Sequence, residues 1–385
     1  MTNQYDFAVV GGGAVGQETL KHASECANVR VVGVVEPDAA NGAKLKERFG
    51  VPVYGSLDAL LNARPDCVKI CSPNALHAEQ TIACLQHGCH VLVEKPMASS
   101  IEDCRRMVEA EKASRRLLMV NFEYRLSAVF AKVREIITQG LVGDVRNAFL
   151  YESRGPFEGR RGNWRYTNEG GSGLVPEKLV HYIDLMHHFT GSPAAAVTGV
   201  HGPPTIRHYE FADNGFLFLR HLNGARSVIG TFHGVQPDWS FRHLLGKAQN
   251  HDTLPHQRRE RFMARYGHRD FLQLTGTKGS IDADMVHATV AVSRYVPCDR
   301  RGGQATQAGP HYDFSHLPWA ETIHNQTGML DHFFSCVRGT ESPVISSNEA
   351  LETMAASFAA RTALEEQTSV DVPVTRDVSG REPNA

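Results

Sequence analysis

"VVGGGAVGQ", residues 9–17, decides the fold. An apolar run stops, three glycines follow, and a helical pattern over residues 14–26 begins at once. Gly11, Gly13 and Gly16 fit the spacing G-x-G-x-x-G. After a strand and before a helix, that spacing gives a tight turn, close approach of the backbone to a pyrophosphate, and a helix N-terminus aimed at the anion. Alone such a turn is a weak signal; in this setting Gly11, Gly13, Ala14, Val15 and Gly16 read as a dinucleotide cradle.

Outward from that turn, the first 125 residues alternate short runs rich in Val, Ile and Cys with longer helical patterns. Strands are predicted at 5–10, 29–35, 66–71, 89–93 and 117–122, with a weaker one near 51–54. This is an α/β pattern, a doubly wound parallel sheet of the Rossmann type. The second strand ends at Glu36, twenty residues beyond Gly16. A carboxylate there hydrogen-bonds the adenosine ribose and repels a 2′-phosphate. Pro37 and Asp38 follow, with no cation to receive that phosphate, so NAD is predicted in preference to NADP.

Two more strand ends fall on the carboxyl edge, where open α/β sheets bind ligands. One carries Ser72, Pro73 and Asn74, with His77 in the first turn of the next helix; the other, "VLVEKP" (91–96), ends on Glu94, Lys95 and Pro96. Here the sequence resembles the glucose-fructose oxidoreductase/inositol dehydrogenase family (Gfo/Idh/MocA), marked by an E-K-P strand end soon after an [ST]-P-N-x-x-H turn. "VNFEYRLS" (121–128) is similar to the family's crossover segment, with Arg125 as its arginine. "QGLVGDVRNAFL" (139–150) is similar to the entrance to its second domain. "RGNWRYTNEGGSGLVPEKLVHYIDLMHHFTG" (161–191) is similar to a Trp-bearing loop, a glycine-rich turn and D-x-x-x-H on a helix, with Glu177 in place of the family's Asp and His181 on its His.

The resemblance implies a catalytic set of Lys95, Glu177 and His181, with Lys95 also beside the cofactor. Ser72 and Glu94 fall in the cofactor group, and Arg125 on the substrate side. Asn74 and His77 contact or frame the cofactor, unless His77 only caps its helix. Trp164 and Arg165 wall or bind the substrate, or are structural; Tyr182 donates to a sugar hydroxyl or points into the core. Glu94 contacts the cofactor or holds Lys95, since neighbouring strand residues point to opposite faces. The family also implies a homodimer or homotetramer through the open sheet of the second domain.

The residue chemistry agrees with that set. Glu177 and His181 at i and i+4 project from one helix face, so the carboxylate can orient the imidazole. A histidine, with an ordinary pKa of about 6.5, suits removal of a hydroxyl proton. Lys95 can donate to the reacting oxygen and stabilise alkoxide-like charge. An isolated E-x-x-x-H is more often a solvated pair; the E-K-P strand end upstream reverses that reading.

From about residue 144 the pattern turns β-rich, with helices predicted at 173–190, 323–338 and 347–366 and an Asn-Gly hairpin at "HLNGAR" (221–226). The predicted partition is a Rossmann domain over 1–125, an α+β domain with a largely antiparallel open sheet over 126–374, and a polar tail over 375–385. Residues 236–270 read as a substrate-covering or inter-subunit loop, or as a solvated excursion. Their His243, His251, His256 and His268 match no ligand signature, so no metal is predicted. The eight cysteines form no CxxC pair and read as reduced thiols in a cytoplasmic protein. A net charge of -2 gives no global attraction to nucleic acid, and no apolar run approaches a membrane span.

The expected function is NAD-dependent oxidation of a secondary hydroxyl on a small-molecule polyol, sugar, glycoside or inositol. Two rival readings stand beside it: a redox-assisted glycoside-cleaving hydrolase or lyase with tightly bound NAD, and a non-catalytic NAD-binding sensor.

Overall fold

The computed structural model describes residues 4–155, 173–207, 209–234, 269–299, 303–373 and 375. They fall into two compact units.

The first unit begins with β1 (Tyr5–Val10), α1 (Ala14–Glu25), β2 (Val29–Val35), α2 (Ala39–Phe49), β3 (Val53–Tyr54) and α3 (Leu57–Leu61). It continues with β4 (Cys67–Ile70), α4 (His77–Gln86), β5 (His90–Val93), α5 (Ile101–Ser114) and β6 (Leu118–Val120). Its six strands are all parallel, in the order β3-β2-β1-β4-β5-β6. Successive residues on both faces of the central strands are buried, as in Phe7-Ala8-Val9 and Val91-Leu92-Val93, which is why these strands read as unbroken apolar runs. The helices start where the sequence caps them: Asp38, Ser56 and Ser100 each accept an amide from the first turn that follows. The strand order reverses between β1 and β4, so the carboxyl ends of those strands form the ligand-side switch point.

The second unit contains α6 (Ala128–Thr138), β7 (Val145–Arg154), a π-helical turn over Val175–Leu179 and α7 (Val180–Thr190). Then come β8 (Ala194–Val200), β9 (Asn214–His221), β10 (Arg226–His233), β11 (Arg269–Gly276), β12 (Gly279–Asp284), β13 (Thr289–Pro297), β14 (Gln304–Asp313) and α8 (Trp319–Thr322). α9 (Gln326–Val337) and the first half of α10 (Ser347–Glu366) return to the first unit, and β15 (Ser369–Asp371) completes the second. The expected second domain, 126–374, therefore gives up one segment to the first unit. Gln326–Ala355 belongs with the Rossmann sheet, where Phe334 sets its ring edge-on to Phe7 at 5.3 Å.

The sheet of the second unit runs β14-β13-β12-β11-β7-β10-β9-β8-β15. All neighbours are antiparallel except β7 and β10, which are parallel, so the sheet is largely antiparallel, as expected, with one parallel pair at its centre. Alternation is strict in β9: Leu217, Leu219 and His221 face inward, Phe216, Phe218 and Arg220 outward. Inward residues of the sheet share one core with Val129, Phe130, Val133 and Ile136 of α6 and Ile183 and Met186 of α7. The Asn-Gly hairpin forms between β9 and β10, with Gly224 at φ 89, a value that favours glycine.

Candidate active site

Two glycines of the first turn are steric requirements. A Cβ at Gly11, whose φ is +104, would come within 2.7 Å of the Cys71 carbonyl oxygen, and one at Gly16 within 1.9 Å of the Gly11 carbonyl oxygen. Gly13 is different: a Cβ there would meet nothing within 4 Å, and as the N-cap of α1 it offers no side-chain hydrogen bond. Ala14 and Val15 open the first helical turn. Open space over an uncapped helix N-terminus fits a pyrophosphate. At the end of β2, Glu36 accepts from the Asp38 amide at 2.9 Å and from Asn41 Nδ2 at 2.7 Å. These bonds hold the carboxylate beside the turn, where a Cβ on Gly12 would lie 2.7 Å from Glu36 Oε2. The residues present therefore fit a dinucleotide with a free ribose 2′-hydroxyl.

At the end of β5 the acid and the base part company. The Lys95–Pro96 bond is cis. Lys95 is half-buried, while its neighbours Glu94 and Pro96 are buried. Glu94 accepts from Asn121 Nδ2 at 2.5 Å and lies 3.2 Å from the fully buried Lys69 Nζ, which also donates to Gln326 Oε1 at 3.2 Å. Burial opposes the charge on Lys69, but the Glu94 carboxylate, together with Cys71 and Glu123, offsets it and holds the lysine pKa above its ordinary value. Glu94, expected to contact the cofactor or hold Lys95, is the counter-ion of the buried Lys69. Glu94→Ala strands that ammonium and is expected to lower stability by about 3–5 kcal/mol. Urea unfolding at unchanged m-value would show it, and a loss under about 1 kcal/mol would contradict the assignment.

His77 is fully buried, with Nδ1 2.9 Å from the Pro96 carbonyl oxygen and Nε2 2.9 Å from that of Ser72. It straps the turn after β4 to the turn after β5 and so frames Lys95. The Ser72 hydroxyl bonds the Gln80 amide oxygen, and Asn74 is buried at the start of the short 3₁₀ turn that leads into α4.

In the second unit the expected regular helix over 173–190 is corrected by its first turn. Over Val175–Leu179 the backbone widens, and the Val180 amide reaches back to the Val175 carbonyl, five residues away; such π turns concentrate at functional sites. Glu177 sits on this turn and His181 in the first turn of α7 that follows, 8% and 3% exposed. The Tyr124 ring lies flat against the His181 imidazole, centroids 4.3 Å apart and planes within 15°. Arg125, expected near substrate, is buried and donates from Nε and Nη2 to both oxygens of Asp184, at 2.8 Å each. That bidentate pair straps the 3₁₀ turn Glu123–Leu126 to α7. Tyr182 points into the core, its hydroxyl donating to Asp270 at 2.9 Å. Trp164 and Arg165 lie outside the described residues, as do His243, His251, His256 and His268.

Sequence reasoning missed a buried polar row. Asp270, Glu152 and Thr231 are neighbours across β11, β7 and β10, on the inward face. Glu152 accepts from the Thr231 hydroxyl at 2.6 Å and lies 3.5 Å from His233 Nε2 and 3.9 Å from Lys178 Nζ. Burial pushes both carboxyls up, but His233 and Lys178 hold Glu152 down at about 2. Burial, reinforced by the Glu152 charge and only partly offset by Lys178, lifts Asp270 to about 6. The available signal was an acid on the buried phase of an alternating strand, as in "RDFLQL" and "FLYESR".

Folded Asp270 keeps its proton up to about pH 6, whereas the unfolded chain releases it near about pH 4. Between those values the native state binds more protons, so this group makes stability fall as pH rises. Asp270→Asn is neutral throughout and is expected to gain on the parent across that window. Its melting temperature relative to the parent should rise by roughly a few degrees between about pH 4.5 and 7.5. A difference flat with pH in scanning calorimetry would contradict this.

Comparison with known proteins follows the same lines. A family profile described as an oxidoreductase family with an NAD-binding Rossmann fold matches residues 5–122, and the GFO/IDH/MocA C-terminal domain matches residues 130–249. The chain is 30% identical over 203 residues to D-glucoside 3-dehydrogenase of Escherichia coli (strain K12), covering 50% of this chain and 56% of that protein. It is 28% identical over 198 residues to 2,7-anhydro-N-acetylneuraminate hydratase of the same organism, covering 51% and 52%. The chain thus spans about half the length of these relatives. It is 25% identical to myo-inositol 2-dehydrogenase of Thermotoga maritima, covering 94% and 97%. Levoglucosan dehydrogenase in complex with NADH shares the fold at a TM-score of 0.73 and 20% identity, covering 96% of this chain and 99% of that one. Since both domain profiles match in sequence and the fold agrees, the chain belongs to the Gfo/Idh/MocA oxidoreductase family and carries its NAD-binding Rossmann domain.

Proposed function

We propose that the protein is an NAD-dependent dehydrogenase that oxidises a secondary hydroxyl of a sugar, glycoside or inositol to a ketone, or runs the reverse reduction. The observation that carries this reading is Lys95: a half-buried ammonium at the ligand edge of an NAD-binding sheet, on a turn strapped by His77 while its neighbour Glu94 is turned inward. Bound NAD supplies the hydride acceptor. Gly11, Gly13, Ala14, Val15 and Gly16 hold its pyrophosphate and Glu36 its ribose, with Ser72 and Asn74 alongside. His181 takes the hydroxyl proton, Glu177 tunes its imidazole, and Lys95 donates to the oxygen on which negative charge develops. Trp164 and Arg165 contact the substrate. The glucoside and inositol dehydrogenases among the relatives support this substrate class.

The test is incubation with NAD and a panel of cyclic polyols, free sugars and glycosides, with absorbance of the reduced cofactor and product analysis read together. Ketone and reduced cofactor in equal amounts are expected. A second reading, redox-neutral cleavage or water loss, is favoured by the hydratase relative; released aglycone or dehydrated product without net reduced cofactor would select it. Cofactor binding with silence across the panel would leave the sensor reading.

The working form is a homodimer or homotetramer in the cytoplasm. The outward face of the second sheet supports the assembly. Phe218, Val228 and Phe149 are neighbours across β9, β10 and β7, and Phe216, Gly230, Tyr151 and Phe271 form the next row. Phe149, Phe216 and Phe218 are 38%, 36% and 45% exposed. A contiguous aromatic face of this kind suits a second copy of itself. All eight cysteines are free thiols, and among the described residues no helix is long and apolar enough to cross a membrane. Phe218→Glu is expected to release monomers in sedimentation; a mass unchanged from the parent would count against this face.

A further inference from the structure

Lys178 is an ammonium that nothing in the proposed chemistry uses. It is 3% exposed on the π turn, in contact with the phenol oxygen of Tyr124 at 2.6 Å, 3.9 Å from Glu152 Oε1 and about equally far from the Tyr124 and Tyr182 ring centres, 5.1 and 5.0 Å. Burying a lysine is costly, and a buried ion pair is weak grounds for stability. Its position next to the His181 stack calls for a different account.

The hydrogen-bond directions are set by chemistry. A lysine ammonium only donates, so the Tyr124 oxygen accepts from Lys178. The phenol proton is then left for His324 Nε2, 3.1 Å away. A phenol held from both sides cannot turn its ring freely, and the His181 imidazole lies against that ring at 4.3 Å and 15°. Next in sequence, Arg125 clamps Asp184, one turn beyond His181. The segment carrying Tyr124 is therefore tied to the helix carrying His181 at two points, and one tie hangs on Lys178.

We propose that Lys178 and Tyr124 are positioning residues for His181, with Glu152 as the counter-ion that keeps the Lys178 ammonium buried and aimed at the phenol. This rests on the reading of His181 as the base. Loss of the ammonium lets the Tyr124 ring tilt and the imidazole follow, which misaligns proton transfer without touching substrate affinity. A displacement of about 1 Å at a reacting group costs up to about a hundredfold in rate.

Two measurements decide it. In a double-mutant cycle, Lys178→Met is expected to lower kcat about ten- to hundredfold with KM within about twofold, Lys178→Arg to recover part of the loss, and Tyr124→Phe, which keeps the ring, to cost about tenfold. In a His181→Asn background the same Lys178→Met change should cost less than about twofold, because the group it positions is gone. An equal cost in both backgrounds would assign Lys178 a purely structural role and overturn the proposal. Independently, the His181 ring-proton resonance, identified by its loss in His181→Asn, should be displaced upfield by the stacked Tyr124 ring in the parent and move back in Lys178→Met. A resonance that stays in place would also overturn it. Tyr124→Phe gives the same readout should Lys178→Met fail to fold. If His181→Asn keeps parental turnover, the proposed function falls and the resonance alone decides the positioning of His181.

Discussion

Lys95→Met is expected to lower kcat about 10³-fold while leaving NAD affinity within about twofold, the magnitude seen when a preorganised donor to a developing oxyanion is removed. The expectation follows from how the strand end is built. Glu94 is committed to Lys69 and Asn121, and His77 holds the Pro96 carbonyl, so the backbone under Lys95 is fixed from both sides. Methionine fills the same volume and removes only the charge and the donors. Steady-state kinetics with a separate cofactor titration separates the two effects. A fall in cofactor affinity that accounts for the whole loss would make Lys95 a binding residue and no more.

Glu36→Arg is expected to shift the kcat/KM preference between NAD and NADP by about 10³-fold toward NADP. A hydrogen bond to a charged group contributes about 1.5–3 kcal/mol, and the substitution acts twice, removing a carboxylate from the ribose 2′-hydroxyl and offering a guanidinium to a 2′-phosphate. The fold itself should survive, because Asp38 still caps α2 and Glu36 is only half-buried. Kinetics with both cofactors read the ratio directly; an unchanged preference would move discrimination to residues other than Glu36.

These two sites were legible in the sequence because their physics is local. Three glycines and a carboxylate twenty residues on are read from spacing, and the lysine before a proline from the family resemblance that its strand end carries; the turn and the strand ends lie where the sequence puts them. What escaped was non-local. Glu94 and Lys69 are on different strands, and only the register of β4 with β5 brings them to 3.2 Å. Glu152 and Asp270 are 118 positions apart in sequence and face each other because β7 pairs with β11. Arg125 and Tyr182 have residue types that suit sugar binding, but Asp184 and Asp270 engage them, partners that no local pattern names. β14 escaped for another reason: "QATQAGPHYD" is an edge strand with most residues exposed and a proline within it, so it carries no apolar alternation to read. The return of Gln326–Ala355 to the first unit likewise depends on packing against strands more than two hundred residues earlier.

In the proposed reaction His181 removes the hydroxyl proton as hydride leaves the same carbon. This step is tested most directly by single-turnover reduction of NAD with a panel substrate deuterated at the reacting carbon, in the parent and in His181→Asn. A rate slowed by deuterium is expected in the parent, with a loss of about 10³-fold in His181→Asn while the cofactor stays bound. Reduction by His181→Asn at the parental rate would contradict it.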